Sequence, residues 1–229
     1  MRPNLFRAIS AGLLGVFGFV AAVTAQQPAP ALLTATQVRQ LVAGQQPADH
    51  ARLRAHFEAL SARYAAEANT HTAFQRAATG IPRGGEAAAA HHKRLAEIAN
   101  DSATVTRELA THHGQLGAGN TSSAPKGGER FERGAGAPAI PSEQQMLVLA
   151  ARAQRPSEHG QLSEYYSTLA ARYTADARDH RTMAAAYRGH NRVNQGAVTH
   201  CDRLVQLSDD SAKEAYALAA EHKQLATGR

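Results

Sequence analysis

Shifting the chain by 109 residues, the distance from His91 to His200, lays residues 50–116 over residues 159–225 without a gap. About a third of the aligned positions are identical, as where "ALSARYAAEANTH" lies over "TLAARYTADARDH". Pro47 meets Pro156, and a helix-like stretch precedes each copy, "ATQVRQLVAG" in the first and "EQQMLVLAAR" in the second. A duplication constrains the architecture more than any local propensity does, because both copies must adopt one fold. The intervening "GAGNTSSAPKGGERFERGAGAP" is rich in Gly, Ser and Pro and reads as a linker. The expected organisation is a first unit over 26–116, a flexible linker over 117–140 and a second unit over 141–229.

Within each unit the seam residues recur in alternating three- and four-residue steps, the spacing of one helix face. The first copy gives His50, Leu53, Phe57, Leu60, Tyr64, Glu67, His71 and Phe74; the second gives His159, Leu162, Tyr166, Leu169, Tyr173, Asp176, His180 and Met183. "TGIPRGG" and "RGHNRVNQG" then break the helix. A second helix follows through His91, Leu95, Ile98, Ser102, Val105, Leu109 and His113, and in the second copy through His200, Leu204, Leu207, Ser211, Ala215, Leu218 and His222. A single hairpin cannot bury its seam, so the sequence predicts an all-α four-helix bundle of two tandem-repeat hairpins, each preceded by a short helix. Composition agrees: tryptophan is absent, and alanine, the strongest helix former, supplies much of the apolar content.

The N-terminus reads as a secretory signal peptide over 1–25. Arg2 and Arg7 flank a short apolar run, and Val23 and Ala25 precede the expected cut before Gln26. The run is too short for a membrane anchor, and no later stretch is long and apolar enough to span a bilayer. The expected location is the periplasm. The formal charge of +6 falls to +4 without Arg2 and Arg7, and no Lys/Arg run argues for nucleic acid. One cysteine, Cys201, cannot form an internal disulfide, which leaves a reactive thiol, a bridge to a second chain in a homodimer, or a metal ligand.

Eight of the twelve histidines form four repeat-matched pairs: 50/159, 71/180, 91/200 and 113/222. Equal distances from the hairpin turns predict two levels. His71, His91, His180 and His200 would form one, and His50, His113, His159 and His222 the other. The levels would lie roughly 30 Å apart at the helical rise. His92 and Cys201 flank the first level and would add borderline and soft donors. Four imidazoles suit a zinc or copper ion, and a thiolate shifts the preference toward Cu(I) or Zn. A bis-histidine haem is the lesser alternative, and without a CxxCH it would not be covalently attached. Interior hydrogen bonding is the competing role for such histidines.

Glu67 and Asp176 stand one turn before His71 and His180, where either could accept an imidazole N–H beside a metal. Arg63 and Arg172 lie four residues earlier, so simple i,i+4 ion pairs explain the acids equally well. Ser/His/Asp arrangements, phosphate loops and paired-carboxylate sites do not appear, and adjacent His200 and Cys201 point about 100° apart on a helix. No enzymatic activity is expected.

Leu33-Thr34-Ala35-Thr36-Gln37 reads LTxxQ. This resembles the motif of the periplasmic stress chaperones Spy and CpxP and of the zinc resistance-associated protein. The matching segment of the second copy, "SEQQM", departs from it. The resemblance implies an exported, all-helical protein and supplies the alternative function, a metal-independent chaperone or envelope interaction protein.

Overall fold

A computed structural model describes residues 32–81, 84–118, 142–189 and 195–228. The signal-peptide reading and most of the linker fall outside the described residues. The described chain is helical throughout its regular structure: α1 (Ala35–Gly44), α2 (Pro47–Ala78), α3 (Gly85–Ala118), α4 (Glu143–Ala150), α5 (Pro156–Arg188) and α6 (Gln195–Thr227). No strand occurs among the described residues. Helix α3 runs on to Ala118, two residues into the stretch read as linker.

The helix starts follow from local chemistry that the repeat duplicates. Pro47 and Pro156 open α2 and α5, where a missing N–H costs nothing. Asp49 and its repeat mate Glu158 accept the backbone N–H groups of Gln46 and Arg155, at 3.2 and 3.1 Å. The LTxxQ stretch is a reciprocal cap on α1. Thr34 Oγ1 accepts the Gln37 N–H, and Gln37 Oε1 accepts the Thr34 N–H. Ser142 caps α4 from one side only. Between α2 and α3 the chain turns tightly through Gly84, at φ +75. A Cβ on the next residue, Gly85, would stand 2.4 Å from the Ala78 carbonyl oxygen.

Helix α2 packs along α3 and α5 along α6, giving two hairpins, and α3 also packs against α6. The short helices α1 and α4 each lie against both α2 and α5 and close the space between those two. The core shows how the hairpins meet. One cluster joins Leu53, Phe57 and Leu60, early in α2, to Met183 and Tyr187, late in α5, and to Cys201, early in α6. The other joins Phe74, late in α2, to Leu162 and Tyr166, early in α5, and to Leu218, late in α6. The hairpins therefore dock head to tail, each turn beside the other's open end. No helix among the described residues is long and apolar enough to cross a membrane.

Candidate functional site: paired histidines on buried tyrosines

Head-to-tail docking creates exchanged contacts between repeat mates. Arg63 bonds Asp176 and Arg172 bonds Glu67, both at 2.8 Å. Tyr64 Oη meets His180 Nε2 and Tyr173 Oη meets His71 Nε2, both at 3.0 Å. Each arginine also covers the ring of the tyrosine beside it in sequence. The expected i,i+4 pairs, Arg63 with Glu67 and Arg172 with Asp176, are replaced by these pairs between hairpins. Each guanidinium reaches the opposite hairpin, where a carboxylate, buried in Glu67 and half-buried in Asp176, would otherwise stand unpaired.

The histidines meet in pairs rather than in layers of four. His71 Nδ1 faces His92 Nδ1 at 3.3 Å, His50 faces His113 at 3.2 Å and His159 faces His222 at 3.1 Å, again through Nδ1. In each pair the rings stack, with centroids 5.3–5.4 Å apart. Rings already in contact leave no room for a porphyrin plane between them. His71 and His180 lie in different halves because the hairpins run head to tail, so the expected grouping of His71, His91, His180 and His200 does not form. The grouping of His50, His113, His159 and His222 fails for the same reason and survives only as two separate pairs.

His91 and His200 depart furthest from expectation. Both are half-exposed: His91 lies beside Glu214 and Glu221, at 2.6 and 3.3 Å, and His200 beside Glu108 at 3.3 Å. The residues one step on, His92 and Cys201, occupy the core. Three- and four-residue steps from Leu95 reach either 91 or 92, so periodicity alone could not choose. The buried stripe Ala88, His92, Leu95, Ala99, Ser102, Thr106, Leu109 and His113 resolves it. His56, not singled out in the sequence, is also buried and accepts the Leu33 N–H on Nδ1 at 3.1 Å.

The His71–His92 pair belongs to a chain of hydrogen bonds whose direction follows from its last member. Glu67 is held by Arg172 and can only accept, so Tyr173 donates its O–H to Glu67 Oε1. The Tyr173 oxygen then accepts from His71 Nε2–H, at 3.0 Å. That leaves His71 Nδ1 bare to accept His92 Nδ1–H, and His92 Nε2 bare to accept Tyr166 O–H at 2.9 Å. All five groups are buried. Every proton has a place and both imidazoles are neutral. Protonating His71 would set two N–H groups against each other, and protonating His92 would set its Nε2–H against the Tyr166 O–H.

The electrostatics agree with that assignment. Burial lowers His71 and His222 to a pKa of about 4 and His113 and His180 to about 3. His92 falls well below its ordinary value, and His50 and His159 are lowered, all chiefly by burial. His56 falls to about 4, through burial and the nearby Arg63 charge. Cys201 is fully buried, and its thiol is pushed up to about 12. A bridge to a second chain through it would require the core to open. Among the described residues no three His, Cys, Asp or Glu side chains converge on one point as a ready metal cage.

No family model, no curated protein and no solved structure matches this chain.

Proposed function

We propose that this chain is an exported metal-binding four-helix bundle of two tandem-repeat hairpins. Its task is to buffer, store or deliver zinc or copper through face-to-face histidine pairs at the open ends of the hairpins. The observation that carries this reading is the spacing of His50–His113 and His159–His222, at 3.2 and 3.1 Å between Nδ1 atoms. Two nitrogens each about 2.0–2.1 Å from one tetrahedral ion stand roughly 3.3 Å apart. Both pairs are only partly buried, so water can complete the coordination. Without metal, the same spacing carries an N–H···N hydrogen bond. Taking up an ion then needs only a tautomer shift, in which His113 Nε2–H donates to Tyr187 Oη, 2.7 Å away. Such a tyrosine fixes the tautomer of a ligating imidazole. The His71–His92 pair is spoken for by its own hydrogen bonds and acts as structure.

Calorimetric titration with Zn(II) and Cu(II), with native mass spectrometry for stoichiometry, tests the reading. Two ions per chain are expected, falling to one in His50→Ala or His159→Ala and to none in the double variant. Equal stoichiometry and affinity in wild type and double variant would overturn it.

A further inference from the structure

The turn end of the second hairpin carries an unmatched group. His71 and His180 are repeat mates and hold their rings alike, with Nε2 on a tyrosine of the opposite hairpin at 3.0 Å in both. In His71 this turns Nδ1 toward position 92, where His92 Nδ1 answers at 3.3 Å. Carried over to the second copy, the same ring placement puts His180 Nδ1 on the side of position 201, where the repeat has Cys201 in place of His92. His180 is 3% exposed, yet its Nδ1 has no hydrogen-bond partner among the described residues. A nitrogen left so in the interior calls for an explanation.

A third donor lies in the same part of the core. Phe74 stacks on His92 with centroids 4.9 Å apart, and its repeat mate is Met183, which shares a buried cluster with Cys201. The first hairpin's His, Phe, His is thus the second hairpin's His, Met, Cys. We propose that His180 Nδ1, Cys201 Sγ and Met183 Sδ form a buried site for one Cu(I) ion. This rests on the metal-binding reading above and assigns it a second, softer site.

Volume alone accounts for part of the change. Tyr187 replaces Ala78 across the repeat, so position 201 must be small. The Tyr187 hydroxyl is engaged by His113, however, and cannot serve His180. Alanine or serine would also be small enough, but neither supplies a sulfur donor.

The chemistry selects the ion. Imidazole, thioether and thiolate are the donors that favour Cu(I). On binding, the Cys201 proton leaves to solvent as the Sγ–Cu bond forms, His180 holds its proton on Nε2 and donates it to Tyr64 Oη, and no electron is transferred. Thiolate plus Cu(I) is neutral overall, whereas a divalent ion would leave a net charge in a dry core. His180 and Met183 also line a groove of about 600 Å³ beneath α1, with Asp176, Asp179 and Arg63 on its wall, which opens a route to them from solvent.

The test uses the full mature chain, anaerobic and reduced, competing for Cu(I) against a chromogenic chelator, with X-ray absorption on the loaded protein. Expected are one tight Cu(I) per chain with sulfur in its first shell, a loss of at least about 100-fold in Cys201→Ser, and about 10-fold in Met183→Leu. Circular dichroism checks that each variant is helical. Should Cys201→Ser fail to fold, Met183→Leu and the sulfur scattering of wild type decide. Wild-type affinity in both variants, or a first shell without sulfur, overturns the proposal. Zinc titration of the same wild-type sample reports the open-end pairs separately, so failure there removes the histidine-pair reading while the copper–sulfur result stands or falls alone.

Discussion

The turn ends of the two hairpins share a backbone plan and differ in what they bury. At the first, Tyr166, His92, His71, Tyr173 and Glu67 form one unbroken run of hydrogen bonds. At the second the corresponding positions hold Phe57, Cys201, His180, Tyr64 and Asp176. The run shrinks there to a single Tyr64–His180 bond. Glu67 accepts from both Tyr173 and Arg172, whereas the shorter Asp176 is bonded by Arg63. A duplicated scaffold thus kept the tyrosine–histidine contact across the interface on both sides. It completed the polar network at one end and left a buried imidazole nitrogen without a partner among the described residues at the other.

Acid should have the largest effect, and it should strike both ends. The buried imidazoles have folded pKa values below the unfolded value of about 6.5. Their contribution is therefore fully present above about pH 6.5 and is lost as the pH falls toward the folded values. Those values are about 4 for His56, His71 and His222 and about 3 for His113 and His180. Each such group is worth on the order of 3 kcal/mol or more by linkage. Together they rival the whole stability of a domain, about 5–15 kcal/mol. Urea midpoints measured at pH 7.5, 6, 5 and 4 should drop steeply below pH 6. Flat midpoints across that range would mean the imidazoles are not buried neutral.

Removing the matched residues separates the ends. His92→Ala leaves Tyr166 Oη and His71 Nδ1 without partners and opens a cavity, so it should cost about 3–5 kcal/mol. Cys201→Ala removes one buried sulfur and should cost about 1–2 kcal/mol in metal-free protein. Equal losses in chemical denaturation would erase the contrast between a complete network and a broken one.

A smaller gap is expected at the carboxylates. Glu67→Ala strands both Tyr173 and Arg172 and should cost about 3 kcal/mol. Asp176→Ala releases only Arg63, which is partly exposed and can turn to water, and should cost about 1–2 kcal/mol. Thermal melts at neutral pH would show the order, and a reversed order would show that Asp176 does more than pair with Arg63. The smallest difference lies at the short helices. Thr34→Ala should cost about 1 kcal/mol, because the cap on α1 is reciprocal. Ser142→Ala on α4 should cost about half of that.

The sequence alone determined the secondary structure, the pairing of helices within each copy and most of the buried histidines. Helical periodicity and capping are local, and the duplication supplied every reading twice. Its seam put His50 with His113 and His159 with His222, and those pairs form. What periodicity could not decide was a single step on α3 and α6, where His91 or His92, and His200 or Cys201, fit the same spacing. Nor could it decide which way the hairpins dock, since parallel and head-to-tail arrangements bury the same seams. The linker read over 117–140 is long enough for either. Only the tertiary structure settled that, through contacts that exist in one direction alone: Arg63 with Asp176, Arg172 with Glu67, Tyr64 with His180 and Tyr173 with His71. Charges and hydroxyls have fixed partners and apolar stripes do not, so the polar residues set the direction and, with it, which histidines meet.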